Sequence, residues 1–264
     1  MIGRLNSVNI PFRASISDKD IDKFESTKQH FSDCYLMTTL ETLSHTPNGR
    51  KVIKEHIQYD DKNPKFINCY LYAPNNKEEK YTIPTNAVVK GYEKLYRLQD
   101  NEIIRSMDVS VAQYENKHKA KPWICRFTDK FKDYAFENSL PSHFMKIFTG
   151  VEPRVIAEED FNFDLSGYKD EVMNLFERMD KEKKHSFVIG TGVKMLDGRT
   201  WHVYILEDVN LKDGTITVKE KRGNKPRVMS IDSALNTFKF IVGYFDSDLK
   251  DTKKVSTKTV KKYM

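Results

Sequence analysis

The 264-residue sequence lacks the features that mark several protein classes. It has three cysteines and no CxxC pair, so neither a disulfide framework nor a structural zinc site is expected. No stretch approaches the roughly 18 consecutive apolar residues of a membrane-spanning helix, and the first residues show no secretory signal. Internal repeats and EF-hand loop patterns are also missing. These absences predict an intracellular, cytoplasmic protein in a reducing environment.

Positive charge is concentrated at the C-terminal end. The chain has 44 basic and 38 acidic residues, a net charge of +6. Residues 247–264 contain six lysines and two aspartates, and the remaining body carries only about +2. The overall basic charge therefore does not indicate a nucleic-acid-binding protein. The segment 247–264 is predicted to be a mobile tail that could dock on nucleic acid or another acidic partner.

The order of predicted elements indicates an α+β fold. After a polar lead-in, residues 1–28, helical patterns dominate residues 29–184, although residues 66–72 and 81–84 resemble a hairpin. Strand patterns dominate residues 185–246. Helices followed by antiparallel strands predict a helical N-terminal lobe and a sheet-rich C-terminal lobe that meet at a cleft.

One cysteine occupies a position that favours reactivity. Cys34 follows Ser32 and Asp33, two good helix-capping residue types, and precedes a run of apolar residues at helical spacing. It is therefore predicted in the first turn of a buried helix, where the partial positive charge of the helix terminus favours a thiolate. The alternative is an ordinary buried core cysteine.

One histidine differs from the other six, which lie in charged or loop-like contexts. His202 begins a predicted strand and shares a face with Tyr204 and Leu206, where its polar ring needs a partner. It is either a core histidine bonded to a backbone carbonyl or the base for Cys34 in the opposite lobe.

Four stretches, taken in order, resemble the protease core of calpains within the papain-fold cysteine proteases. The family's glutamine, Gly-Asp-Cys-Trp and apolar helix resemble residues 29–36. Residues 108–118 and 149–151 resemble the family's middle helix and Thr-Gly-Gly. Residues 198–206 resemble its Gly-His-Ala-Tyr strand. Residues 216–223 resemble its strand ending in Asn-Pro-Trp-Gly. The resemblance covers about residues 25–245 and implies a papain-like two-lobed fold.

The resemblance also implies roles for three residues. Cys34 would be the nucleophile, His202 its general base and acid, and Gln29 a side-chain donor to the oxyanion beside the Cys34 backbone N–H. The spacing departs from the family, because Gln29 lies five residues before Cys34 and Lys28 lies six before it. Tyr35 replaces the family's tryptophan.

The third member of the proposed triad is the largest departure. Glu220 stands where the family has asparagine, and strand alternation predicts that its carboxylate faces His202. The alternative for Glu220 is a surface glutamate on an edge strand. Asn224 is the alternative third member, although its place after Gly223 is typical of a turn residue. Arg222 replaces a tryptophan that shields the histidine in the family.

Three functions are compatible with these residues. The first is a calpain-like thiol endopeptidase acting on a protein or peptide substrate. The second is a related thiol acyl transferase or deamidase, and the third is a degenerate papain-fold structural or interaction protein with a basic docking tail. No cofactor or metal is predicted; calcium binding is implied only by the resemblance, and membrane association is not expected.

Overall fold

The computed structural model describes residues 14–29, 33–88, 100–118, 140–158, 164–191, 202–221 and 225–250. Within these ranges the chain forms seven α-helices and two antiparallel sheets, which confirms the expected α+β class. No helix in the described ranges has both the length and the apolar character needed to cross a membrane.

The helices begin and end at recognisable sequence signals. Ser17 caps α1 in a reciprocal capping box with Asp20, Pro47 begins α3, and Gly150 ends α5 with a positive φ of 70°. The helices are α1 Asp18–Ser26, α2 Cys34–Ser44, α3 Pro47–His56, α4 Glu102–His118, α5 Pro141–Thr149, α6 Lys169–Glu182 and α7 Ile231–Thr237.

The N-terminal half contains a whole sheet, more strand than the sequence predicts. Its strands, in spatial order, are β1 Ala14–Ser15, β2 Ile57–Tyr59, β3 Phe66–Tyr72 and β4 Glu78–Pro84. The predicted hairpin is confirmed as β3 and β4. The strands β1 and β2 were missed because two or three residues are too few to show strand alternation. Residues 29–184 are therefore not a purely helical lobe.

The second sheet has six strands in the order β5-β10-β6-β7-β8-β9. The strands are β5 Arg154–Ile156, β6 His185–Gly190, β7 Val203–Asn210, β8 Thr215–Lys219, β9 Pro226–Ser230 and β10 Phe240–Phe245. The edge strand β5 comes from the segment assigned to the helical lobe, so the predicted boundary at residue 184 does not separate the sheet from the rest.

Helices cover both faces of the second sheet. Val188 and Val203 belong to one hydrophobic cluster with the residues of α2, whereas Phe187, Ile189 and Leu206 belong to a second cluster with α6 and α7. Successive strand residues point to opposite faces, which explains the division. Alternate residues of β6 and β7 therefore pack against α2 on one face of the sheet and against α6 and α7 on the other.

The folded part of the chain extends beyond the predicted start of the tail. Asp246–Leu249 forms a 3-10 helix, and Leu249 is only 1% exposed. The Asp248 carboxylate accepts hydrogen bonds from Arg154 at 2.9 Å and from the backbone N–H of Phe245 at 3.0 Å. The boundary predicted after residue 246 is therefore too early, and residues 251–264 of the predicted tail lie outside the described residues.

A buried histidine at the start of β6 predicts acid sensitivity. His185 is 7% exposed, and burial lowers its pKa to about 4. Between that pH and about 6.5 the unfolded chain binds a proton that the folded chain excludes, so the free energy of unfolding should fall by about 3 kcal/mol as the pH falls. Urea unfolding across this range measures the fall. A His185→Phe variant should be less pH-dependent, and an unchanged slope in that variant would assign the effect to other groups.

Candidate active site

The helix that carries the predicted nucleophile is buried along its whole length. Cys34 is the first residue of α2, and all eleven helix residues are buried. Asp33 occupies the N-cap position but its side chain makes no capping hydrogen bond, so the expected side-chain cap is not formed by this residue. Ser32 lies outside the described residues. Cys34 therefore has the predicted place at the positive end of a helix.

Hydrogen bonds fix the far end of α2 against the start of β6. The Ser186 hydroxyl donates to the carbonyl of Thr42 at 2.9 Å, and the Thr42 hydroxyl donates to the carbonyl of Phe187 at 3.4 Å. These contacts place the C-terminal turn of α2 beside the first residues of β6.

The lengths of α2 and β6 indicate where Cys34 lies. Cys34 and Thr42 are separated by about 12 Å of helix, and Ser186 and Gly190 by about 13 Å of strand. Because α2 packs against both β6 and β7, we infer that its Cys34 end lies near the end of β6. At that end the backbone N–H of Thr191 donates to the carbonyl of His202 at 2.9 Å.

His202 and Glu220 form the contact that strand alternation predicts. His202 lies directly before β7, Glu220 lies directly after β8, and they are 4% and 8% exposed. The His202 Nε2 atom lies 3.2 Å from the Glu220 Oε1 atom. The alternative of a surface glutamate is wrong for this position. With Nε2 facing the carboxylate, Nδ1 is the ring nitrogen on the opposite side of the imidazole.

An aromatic neighbour limits the orientation of the histidine ring. The Tyr204 ring meets the His202 ring edge to face, with centroids 4.9 Å apart and an interplanar angle of 88°. Tyr204 in turn makes an edge contact with Phe238, at a centroid distance of 5.6 Å. The His202 ring is therefore positioned by a carboxylate and by a packed aromatic pair.

The two candidates for the oxyanion donor differ in burial. Gln29 is 7% exposed, whereas Lys28 is exposed to solvent. A buried amide with a short side chain is a better fixed donor than an exposed ammonium on a flexible chain, so burial favours Gln29. Residues 30–32, which join Gln29 to Asp33, lie outside the described residues. Arg222 and the alternative triad member Asn224 also lie outside them.

Carboxylates lie near the start of α2. Burial, followed by the negative charges of Glu115, Asp108 and Asp33, raises the pKa of Tyr35 well above its usual value. These charges act on the Tyr35 hydroxyl, in the first turn of the helix that Cys34 begins.

The two described cysteines are expected to differ in reactivity. Cys69 lies within β3, is fully buried, and has a pKa that burial raises to about 12. At pH 6 iodoacetamide should modify Cys34 and leave Cys69 unmodified, because only a thiolate reacts readily. Peptide mass spectrometry measures both rates, and denaturation should make the two rates equal. Comparable modification rates of Cys34 and Cys69 in the folded protein would contradict the assignment of Cys34 as the reactive thiol. Cys125 is also predicted to be inert, and it lies outside the described residues.

One buried charged cluster, formed by Glu41, Lys219 and Lys221, is not predicted from the sequence. Glu41 is the only charged residue of α2 and is fully buried. Its Oε1 atom accepts a hydrogen bond from Lys219 Nζ at 2.8 Å, and its Oε2 atom contacts Lys221 Nζ. The available signal was a single glutamate in a helix that is otherwise uncharged, which requires a cationic partner when buried.

The described residues contain no group of three or more potential ligands that could hold a metal ion. In comparisons with known proteins, no protein-family model matches the chain, and no curated protein matches its sequence.

Proposed function

We propose that this protein is a thiol endopeptidase with a papain-like, two-lobed fold similar to the calpain protease core. The proposal is carried by one observation: His202 Nε2 lies 3.2 Å from Glu220 Oε1 at the ends of neighbouring strands. Cys34 begins a buried helix that packs on the same sheet. A nucleophile, a base and a group that orients the base are the three parts required for covalent acyl transfer.

In the proposed reaction, His202 Nδ1 takes the proton of Cys34 and the sulfur attacks the carbonyl carbon of a peptide bond. The carbonyl oxygen becomes an oxyanion, which the Cys34 backbone N–H and the Gln29 side-chain amide would bind. His202 then gives its proton to the departing amine, and an acyl group remains on sulfur as a thioester. Water, deprotonated by His202, attacks the thioester and releases the carboxylic acid and the thiol.

The role of Glu220 follows from its contact with His202. A carboxylate 3.2 Å from Nε2 would favour a proton on that nitrogen, which leaves Nδ1 as the basic nitrogen in the neutral ring. The same carboxylate stabilises the imidazolium formed when Cys34 loses its proton. Glu220 therefore provides the orientation that asparagine provides in the resembled family and adds a negative charge.

A thiol acyl transferase or deamidase would share the first half of this reaction and differ only in the acceptor or the bond attacked. A degenerate interaction protein would share the fold alone. Product analysis separates these alternatives: cleaved peptides indicate an endopeptidase, amide loss from side chains indicates a deamidase, acyl groups joined to an added amine indicate an acyl transferase, and the absence of all three products indicates an interaction protein.

The proposed activity can be tested with a mixture of unstructured protein substrates and a peptide vinyl sulfone. The wild-type chain should cleave the substrates and carry the label on Cys34, and Cys34→Ala and His202→Gln variants should do neither. His118→Gln is a matched control, because its Nε2 atom also contacts a carboxylate, Glu79 Oε2 at 2.8 Å, but in the first sheet. Absence of cleavage and labelling in the wild-type chain, or their persistence in Cys34→Ala, would overturn the proposal.

A further inference from the structure

Three charged side chains meet in the interior between α1, α2 and the end of β8. Glu41 and Lys221 are fully buried, and Lys219 is 4% exposed. Both lysines contact the Glu41 carboxylate, one at each oxygen. We refer to Glu41, Lys219 and Lys221 as the charge clamp.

The charge clamp joins three elements that are distant in sequence. Lys221 Nζ donates to the backbone carbonyls of Phe24 and Glu25 in the last turn of α1, the latter at 3.3 Å. Carbonyl groups at a helix C-terminus carry partial negative charge and favour a cation. Glu41 belongs to α2, and the two lysines lie at the end of β8 and just beyond it. The clamp therefore fixes the end of this strand against two helices.

Stability alone does not account for a cluster of this composition. Two ammonium groups share one carboxylate, and burial lowers the pKa of Lys221. Removing three charges from water is costly, and apolar side chains of similar volume commonly hold a fold equally well or better. The charged groups add directional contacts. These contacts fit one alignment of the end of β8 against α1 and α2, whereas apolar packing would allow several alignments.

That register bears directly on the candidate active site. Lys219 and Lys221 flank Glu220, and alternation along an extended chain directs its side chain to the opposite face, toward His202. On α2, Glu41 lies seven residues after Cys34, so the two side chains share a helix face about 10 Å apart. The clamp thus connects the helix that bears the thiol to the strand that bears the carboxylate.

We propose that the charge clamp positions Glu220 against His202 and fixes both relative to Cys34. Its importance for catalysis rests on the proposed function, whereas its effect on the His202–Glu220 contact can be tested independently of any activity. Glu41, Lys219 and Lys221 are positioning residues in this proposal and do not touch the substrate.

The test compares Glu41→Gln with Glu25→Gln in the full chain. Glu25 also contacts Lys219, at 3.4 Å, but its side chain is 70% exposed, which makes it a matched control. Nitrogen-15 NMR of the histidine rings reports the contact between His202 and Glu220, and iodoacetamide labelling at pH 6 reports the reactivity of Cys34. Glu41→Gln should shift or lose the His202 ring N–H signal and slow labelling about tenfold or more. Glu25→Gln should match the wild-type chain in both measurements.

A charge-free variant covers the case in which Glu41→Gln does not fold. The combined changes Glu41→Leu, Lys219→Met and Lys221→Met remove all three charges and keep the volume similar. This variant should keep the thermal midpoint but show the altered His202 signal. A wild-type His202 signal in either folded variant would overturn the proposal. If the wild-type chain proves inactive, the proposed function fails while the NMR comparison still decides whether the clamp positions Glu220.

Discussion

Replacing Glu220 with alanine is expected to slow peptide cleavage about 100-fold to 10,000-fold, the usual contribution of correctly oriented acid–base catalysis. The variant removes the carboxylate that lies 3.2 Å from His202 Nε2. Without it the neutral imidazole can place its proton on either nitrogen, and the imidazolium needed beside a Cys34 thiolate loses its counter-charge. The rate of cleavage of a fluorescent peptide measures the effect, with Cys34 alkylation at pH 6 as an activity-independent check.

Two further variants make this prediction specific. Glu220→Gln keeps an oxygen that can accept the ring N–H, so it should retain much of the activity that Glu220→Ala loses. Asn224→Ala should have little effect, because the contact with His202 is supplied by Glu220. If Asn224→Ala caused the larger loss, Asn224 would be the third member of the site. Unchanged Cys34 alkylation in both variants, together with no cleavage by the wild-type chain, would favour an inactive scaffold.

Replacing Glu41 with alanine is expected to lower the free energy of unfolding by about 3–5 kcal/mol, the range measured when one partner of a buried ion pair is removed. Lys219 and Lys221 would keep their positive charges in the interior without the carboxylate that contacts both. The loss corresponds to a fall of about 10 °C in thermal midpoint for a chain of this size. Calorimetry or thermal denaturation followed by circular dichroism measures it.

The control for this loss is Glu25→Ala, which removes an exposed carboxylate from the same lysine. Exposed ion pairs contribute at most about 1 kcal/mol, so this variant should unfold close to the wild-type temperature. Adding Lys219→Met and Lys221→Met to Glu41→Ala should restore most of the lost stability, because no unpaired charge then remains buried. A Glu41→Ala chain as stable as wild type would show that water reaches the lysines.

The His202–Glu220 contact was predictable from sequence because strand alternation has an exact period of two. Once Ile216, Val218 and Glu220 are assigned to one strand, their shared face follows from the backbone alone. Strand patterns also predicted the hairpin of β3 and β4 and a strand-rich segment over residues 185–246, where β6 to β10 lie.

The missed features depend on contacts between distant segments. β5 has three residues and exists because it pairs with β10, so its own pattern carries no strand signal. The buried Lys219 and Lys221 resemble surface residues until Glu41 is brought to them by the fold. Leu249 is buried although it is followed and preceded by charged residues, which is why the tail was predicted to begin too early. Pattern arguments detect local periodicity, whereas these positions are determined by tertiary packing.

The distance along the chain between clamp partners has a consequence for protein synthesis. Glu41 can contact Lys221 only after 180 further residues have been synthesised. The hydrogen bond between Asn48 and Asp246 likewise joins residues that are 198 positions apart. During translation α2 therefore emerges long before the strand that neutralises its buried carboxylate, and folding that depends on such long-range closure is slow. We expect a ribosome-bound chain shorter than about 220 residues to hold Cys34 in an incompletely formed site. A thiol enzyme built this way would acquire its activity only after Lys221 has left the ribosome.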